Sequence, residues 1–227
     1  LVINGGKEST MVGAWSCDAM TSGTKNTAFG SSTLSTATTA LNNTALGYNT
    51  MANVKAAVAV DGCVAIGYEA LLGNSSNTTG INNTIAIGTS ALGALTTGAH
   101  NLAIGDRAAT TMTTGQQNLA IGKQALQTHL TGESNIAIGY LAMGYTDAGT
   151  TSQDSDFNIF IGLVAGGGTW ANAKSRYNVG IGQYAMDAAM DGALNNVALG
   201  YDALTALEEG GYNTGIHEWE LSTAIKE

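Results

Sequence analysis

The segment Asn101-Leu-Ala-Ile-Gly105 returns 17 residues later as Asn118-Leu-Ala-Ile-Gly122, and after another 17 as Asn135-Ile-Ala-Ile-Gly139. The unit extends both ways. Upstream stand Asn26-Thr-Ala-Phe-Gly30, Asn43-Thr-Ala-Leu-Gly47, Cys63-Val-Ala-Ile-Gly67 and Thr84-Ile-Ala-Ile-Gly88; downstream stand Asn158-Ile-Phe-Ile-Gly162, Asn178-Val-Gly-Ile-Gly182 and Asn196-Val-Ala-Leu-Gly200. Degenerate copies close the ends, at Ser9-Thr-Met-Val-Gly13 and Asn213-Thr-Gly-Ile-His217. Twelve units result, with steps of 17, 17, 20, 21, 17, 17, 17, 23, 20, 18 and 17 residues. Most have a second half, Ala or Thr three residues past the Gly and then Leu or Met (Ala91-Leu92, Ala125-Leu126, Ala142-Met143), then often Thr-Gly before the next Asn (Thr114-Gly115, Thr131-Gly132).

Self-similarity at a fixed short period is the signature of a stacked repeat architecture. Seventeen residues are too few for a pair of helices, and a short apolar segment bounded by Gly reads as a strand. The expectation is an all-β fold: a parallel β-solenoid, or β-roll, of about twelve coils. Each coil is expected to hold two strands of four or five residues. With coils stacked every 4.8 Å or so, the rod is about 55 to 60 Å long. The repeat occupies 9–217, after a lead-in at 1–8 and before a C-terminal cap or the start of a neck at 218–227. In that last stretch Leu221 and Ile225 sit four apart, as in a short helix.

Each recurring residue type has a physical reason. The closing glycines (Gly30, Gly47, Gly67, Gly88, Gly105, Gly122, Gly139, Gly162, Gly182 and Gly200) end the strand, either at positive φ or where a Cβ would strike the next coil. Ala at the third position keeps the interior narrow. The residue before the Gly (Ile66, Ile87, Ile104, Ile121, Ile138, Ile161, Ile181) and the Leu of the second half are expected to fill the remainder. The leading asparagines (Asn43, Asn101, Asn118, Asn135, Asn158, Asn178, Asn196) either bond to one another along the axis or simply form turns. In Leu102-Ala-Ile104 both faces of the strand are apolar, so both need cover, whereas a strand with one wet face alternates with polar residues. Packing of several copies about a common axis is the favoured answer.

Composition narrows the function. The 227 residues include 31 Gly, no Pro and only 11 % charged residues, against about 25 % in an ordinary soluble domain. Net charge is −9 and the eight Lys and Arg are scattered, so no basic footprint for nucleic acid exists. No apolar run reaches the roughly 20 residues that span a bilayer, so no membrane insertion is expected. A chain beginning at Leu1 reads as a processed form or an excised segment. Cys17 and Cys63 lack metal-ligand spacing.

Catalytic signals fail in turn. Gly180-Ile-Gly-Gln-Tyr-Ala185 fits a dinucleotide pattern but lies in the repeat register. His100, His129 and His217 have no matching nucleophile or carboxylate at equivalent repeat positions, and Asp106, Glu133, Asp187 and Asp202 are dispersed rather than paired on one face. No enzyme activity, cofactor or metal is expected. The longer steps place extra residues at 52–62, 73–83, 144–157 and 166–177, and loops on a rigid rod are where recognition is expected. One carries Tyr145, Asp147, Asp154 and Asp156, whose spacing matches no calcium loop and which read as solvated acids. Another brings together Trp170, Lys174, Arg176 and Tyr177, the candidate recognition loop. Such a cluster suits stacking on a sugar ring or packing on a neighbouring chain, the second being favoured.

The repeat Asn-x-Ala-Ile-Gly-x-x-Ala resembles the head repeats of trimeric autotransporter adhesins (YadA-like). It is also similar to the Asn-Thr-Ala-Ile-Gly-Tyr-x-Ala-Leu arrays of phage tail-fibre proteins, which Asn43-Thr-Ala-Leu-Gly-Tyr48 and Ile138-Gly-Tyr140 match closely. The resemblance covers roughly 9–217. It implies a homotrimeric shaft or head domain, a virion structural segment that meets other virion proteins and a host cell-surface glycan or protein. The alternative it implies is a bacterial surface adhesin. The 17-residue step is longer than the typical adhesin coil. A third class, an ice-binding β-solenoid, needs a flat array of Thr alternating along strands, whereas Thr here falls in consecutive pairs beside Gly.

Overall fold

In the computed structural model, residues 8–54, 60–74, 80–146, 155–170 and 173–216 are described. Twelve strands of three residues each form one parallel sheet in strict sequence order. They are β1 (Thr10–Val12), β2 (Thr27–Phe29), β3 (Thr44–Leu46), β4 (Val64–Ile66), β5 (Ile85–Ile87) and β6 (Leu102–Ile104), then β7 (Leu119–Ile121), β8 (Ile136–Ile138), β9 (Ile159–Ile161), β10 (Val179–Ile181), β11 (Val197–Leu199) and β12 (Thr214–Ile216). The register repeats identically, as in Leu102↔Leu119, Ala103↔Ala120 and Ile104↔Ile121. The chain is a β-solenoid of about eleven turns, and at about 4.8 Å per turn the sheet is roughly 53 Å long. Both degenerate terminal copies supply strands in register, β1 on β2 and β12 on β11. The stretch expected to form a helix or neck lies outside the described residues.

Each coil has one strand, not two. The reason is the density of left-handed backbone. In the coil after Gly122, Gln124 has φ 59° and Leu126 φ 51°, and the coil ends at Ser134 with φ 58°. The same three positions are left-handed through most of the chain, including bulky residues such as Leu92, Met143 and Met186. Each such residue turns the chain sharply, so among the described residues the rest of the coil pairs only through single-residue parallel bridges, such as Leu41↔Asp61 and Arg176↔Leu194. Leu and Met at the second of these positions are buried, and that burial offsets the backbone cost.

The interior is therefore lined differently from the expectation. The middle residue of each strand points inward, with Ala28, Ala45, Ala65, Ala86, Ala103, Ala120 and Ala137 fully enclosed. Opposite them stand Leu34, Met51, Leu71, Leu92, Leu126, Met143 and Met186, with Leu95 and Met112 beyond. Leu of the second half does fill the core, but the strand isoleucines do not. Ile66, Ile87, Ile104, Ile121, Ile138, Ile161 and Ile181 lie on the other side of the strand and remain half-exposed or exposed, because a period of two sends a strand's first and third residues away from its second.

The closing Gly is fixed twice over. At Gly122 φ is 129°, and a Cβ would lie 2.5 Å from the carbonyl oxygen of Gly139 in the next coil. Both reasons anticipated for this position hold together.

Asparagine does more than form turns. The Asn118 side chain is buried; its Nδ2 donates to Asn101 Oδ1 (3.2 Å) and to the Gly132 carbonyl (2.8 Å). Its Oδ1 accepts from the backbone N–H (3.0 Å) and Nδ2 (3.2 Å) of Asn135. The pattern continues without a break from Asn101 through Asn135, Asn158, Asn178 and Asn196 to Asn213. It is interrupted at two coils, where Cys63 and Thr84 stand in the column. There the Cys63 thiol donates to the Ile81 carbonyl (3.1 Å) in place of an amide, while its N–H still reaches Asn43 Oδ1. Asn118→Leu strands buried donors and acceptors on three coils, each costing about 1–3 kcal/mol. A loss of roughly 3 kcal/mol or more in denaturant-unfolding stability is expected, and a loss below 1 kcal/mol would refute the ladder's structural weight.

Candidate functional site

Eleven steps of parallel sheet leave an uninterrupted outward face. In β4 to β11 both outward residues of every strand are Val, Ile or Leu, as in Ile85 and Ile87, Leu119 and Ile121, or Ile136 and Ile138. Thr takes the first outward position only in the end strands β1 to β3 and β12. Beside the strand's C-terminal end, exposed Tyr48, Tyr68, Tyr140, Leu163 and Tyr201 widen this stripe. Tyr48 and Tyr68 stack in successive coils, centroids 5.7 Å apart. In the middle of the same column Lys123 and Asp106 approach to 3.9 Å, an exposed ion pair of small energetic weight. Parallel sheets are normally covered on both faces, so this aliphatic stripe is the most unusual surface on the molecule.

The threonines serve the scaffold. Thr96 Oγ1 donates to the Thr113 carbonyl (2.9 Å), Thr111 to Gln127 (2.7 Å) and Thr50 to Gly67 (2.7 Å), all one coil along.

The Trp170, Lys174, Arg176 and Tyr177 group is not brought together as one patch. Trp170 is fully enclosed; its Nε1 donates to the Gly166 carbonyl (3.1 Å) and its ring packs edge-on against Phe160 at 5.9 Å. It is a core residue, because Phe160 replaces the usual inward Ala and widens this coil. Lys174 is half-buried. Arg176 Nη2 pairs with Asp156 Oδ2 at 2.8 Å. Tyr177 is exposed and stacks on Phe157 of the preceding coil, 5.3 Å apart and 8° from parallel. Of the four, Arg176 and Tyr177 present surface. Phe157 belongs with them; its place directly before Asn158, the position Tyr177 holds before Asn178, is the signal in the sequence.

The remaining polar residues have internal roles. Asp156 also accepts the Glu133 N–H (3.0 Å), so it is committed on both oxygens; Asp147 and Asp154 lie outside the described residues. His129 is enclosed, with Nδ1 2.9 Å from Thr146 Oγ1 and Nε2 3.1 Å from Asn135 Nδ2. Asn135 Nδ2 can only donate, so Nε2 is the accepting nitrogen. Burial pushes the Cys17 and Cys63 thiols up to about 11, which leaves both protonated and weakly reactive at neutral pH. Desolvation, with the nearby Asp202 carboxylate adding to it, raises Asp187 above the usual range. Among the described residues no group of three or more His, Cys, Asp or Glu side chains is placed to hold a metal ion, and no helix is long and apolar enough to cross a membrane.

Comparison with protein-family models, with curated proteins and with solved structures gives no match to this chain.

Proposed function

We propose that the chain is a structural fibre segment that assembles as a homotrimer about the outward sheet face and holds an attachment surface away from its base, as in a phage tail fibre. The observation that carries this reading is the aliphatic stripe on an otherwise polar rod. From β4 to β11 the stripe runs seven steps, about 34 Å by 10 Å or roughly 340 Å² from the strands alone, and what sets it apart is that it is one face of a parallel sheet, which is normally covered. A second copy laid alongside, in the same direction, meets it with an identical stripe. The number three, and the placement in a virion with a host surface as partner, come from the resemblance of the repeat. The axial use of Thr hydroxyls favours a scaffold over an ice-matching array, and the absence of convergent nucleophile, base and carboxylate among the described residues favours a non-enzymatic role.

Sedimentation equilibrium on the chain tests the assembly. The expected result is a trimer at micromolar concentration. Ile121→Lys with Ile138→Lys, both outward, is expected to yield folded monomers. A wild-type chain that stays folded and monomeric at high concentration would overturn the shared-axis reading.

A further inference from the structure

A second surface stands out on a different column of the rod. The residue before each ladder position has left-handed backbone. In the N-terminal and central coils it is polar, as at Lys25, Asn42, Gln117 and Ser134. In the last coils it is Phe157 (φ 58°), Tyr177 (φ 59°), Asn195 (φ 57°) and Tyr212 (φ 62°). A bulky aromatic in left-handed backbone carries a conformational cost that Asn or Gly largely avoids. Leu34, Met51, Leu71, Leu92, Leu126, Met143 and Met186 recover that cost by complete burial. These three aromatics do not, being 43 %, 53 % and 85 % exposed. Something outside the protomer is the natural recipient of their surface.

The geometry describes the recipient. Phe157 and Tyr177 lie nearly parallel, one coil apart, so their rings are stacked along the axis. Tyr212 follows two coils beyond Tyr177, about 9.6 Å along the rod, with the short Asn195 between. The column thus places the short Asn195 between the Tyr177 and Tyr212 positions, and the short Ser134 on the far side of Phe157. Within the column the groups between and beside the rings are neutral and polar: the Asn195 amide, the Ser134 hydroxyl and two phenols. Next to it lie the exposed Leu194 and the half-buried Glu133, whose carboxylate accepts from Gln116 Nε2. Arg176, next door, has its charge met by Asp156. From 177 to 216 the chain carries Asp187, Asp191, Asp202, Glu208 and Glu209 and no Lys or Arg, which disfavours an anionic ligand. Rings that accept flat C–H faces, alternating with amides and hydroxyls that hydrogen-bond, match a pyranose chain better than an aliphatic protein surface.

We propose that Phe157, Tyr177 and Tyr212, with Ser134 and Asn195 between and beside them, form a binding surface for a neutral polysaccharide with flat, equatorially substituted sugar rings. The proposal rests on the reading of this segment as one that contacts a surface, and it adds the ligand class and the place. The column lies on the other side of the inward-turned Asn from the stripe, two residues before its first outward position, as Phe157 stands to Ile159 and Tyr177 to Val179.

Cellohexaose and chitohexaose, both neutral, are the probes, followed by saturation-transfer NMR and calorimetric titration on the intact chain. Binding in the millimolar range or tighter is expected, with transfer concentrated on ring C–H protons. Tyr177→Asn combined with Tyr212→Asn is expected to weaken it at least about tenfold while leaving the melting temperature unchanged or raised, since Asn suits left-handed backbone. Tyr48→Ser with Tyr68→Ser, on the other column, is expected to leave sugar binding intact. Failure of both hexamers to bind at about 10 mM, or equal binding by the Tyr177 and Tyr212 double variant, overturns the proposal. So does dissociation of the assembly in that variant, which would give the aromatics to a contact between copies. The fibre reading is judged separately by sedimentation of the unaltered chain.

Discussion

Gly122→Val is expected to destabilise the rod by roughly 3–6 kcal/mol, the sum of a left-handed β-branched residue and a Cβ driven into the next coil. The position has φ 129°, and the Gly139 carbonyl oxygen and carbon lie 2.5 and 2.7 Å from where that Cβ would sit. Neither can retreat, since the Gly139 N–H is held by the Ile121 carbonyl and each neighbouring glycine meets its own successor in the same way. Repeat stability is close to a sum of coil and interface terms, so a broken interface divides the cooperative unit. Thermal unfolding followed by circular dichroism is expected to fall sharply and split into two transitions. Ala120→Leu, which forces three carbons into a closed interior, is expected to cost about 1–3 kcal/mol. Thr114→Ser, at an exposed corner, is expected to stay within about 0.5 kcal/mol. Equal melting temperatures for all three would refute the roles assigned to the column of glycines and the inward alanines.

The second large effect runs against the consensus of the repeat. Phe160 occupies an inward position that is Ala in most coils, and two glycines make room for it. A Cβ on Gly180, the equivalent inward residue one coil on, would lie 2.5 Å from the Phe160 ring. One on Gly166, at the position usually held by Leu or Met, would lie 2.7 Å from it. Gly180→Ala therefore moves the chain toward its own consensus and is nonetheless expected to cost about 1–3 kcal/mol. Phe160→Ala alone leaves a void beneath Trp170 and is expected to cost about 3–5 kcal/mol. Phe160→Ala, Gly166→Leu and Gly180→Ala together rebuild an ordinary coil and are expected to recover most of that loss. Denaturant unfolding of the singles and the triple measures the coupling, and simple additivity would show that the three residues do not share one volume.

How much of this was legible in advance depended on whether a position repeats. The parallel sheet, its order and its register followed from the spacing of Asn101, Asn118 and Asn135, because identical units can stack in only one frame. The Gly column was legible for the same reason. The single strand per coil was not, since left-handed backbone at Leu126 or Met143 is imposed by stacking and contradicts their local preference. The outward position of Ile104 is implicit in the alternation around Ala103, but hydrophobicity alone puts the larger residue inside. Trp170 reads as a surface residue in the sequence because aromatics near Lys and Arg suggest one. The exchange of Ala for Phe at Phe160 and the run Gly166-Gly-Gly168 signalled instead an enlarged interior. The Phe157 and Tyr177 pair was half-seen, as Tyr177 alone, because the two rings meet only once the coils are stacked.

Steps of 17, 20, 21 and 23 residues all deliver the next strand into the same three-residue register. The molecule therefore measures distance by counting motifs and ignores how much chain lies between them. Length and decoration are independent quantities: another Asn-x-Ala-Ile-Gly advances the tip by a fixed increment, whereas residues added between motifs leave the strands on either side in register. A lineage, or a protein engineer, is free to rewrite the corners for a new target while the ruler keeps its scale.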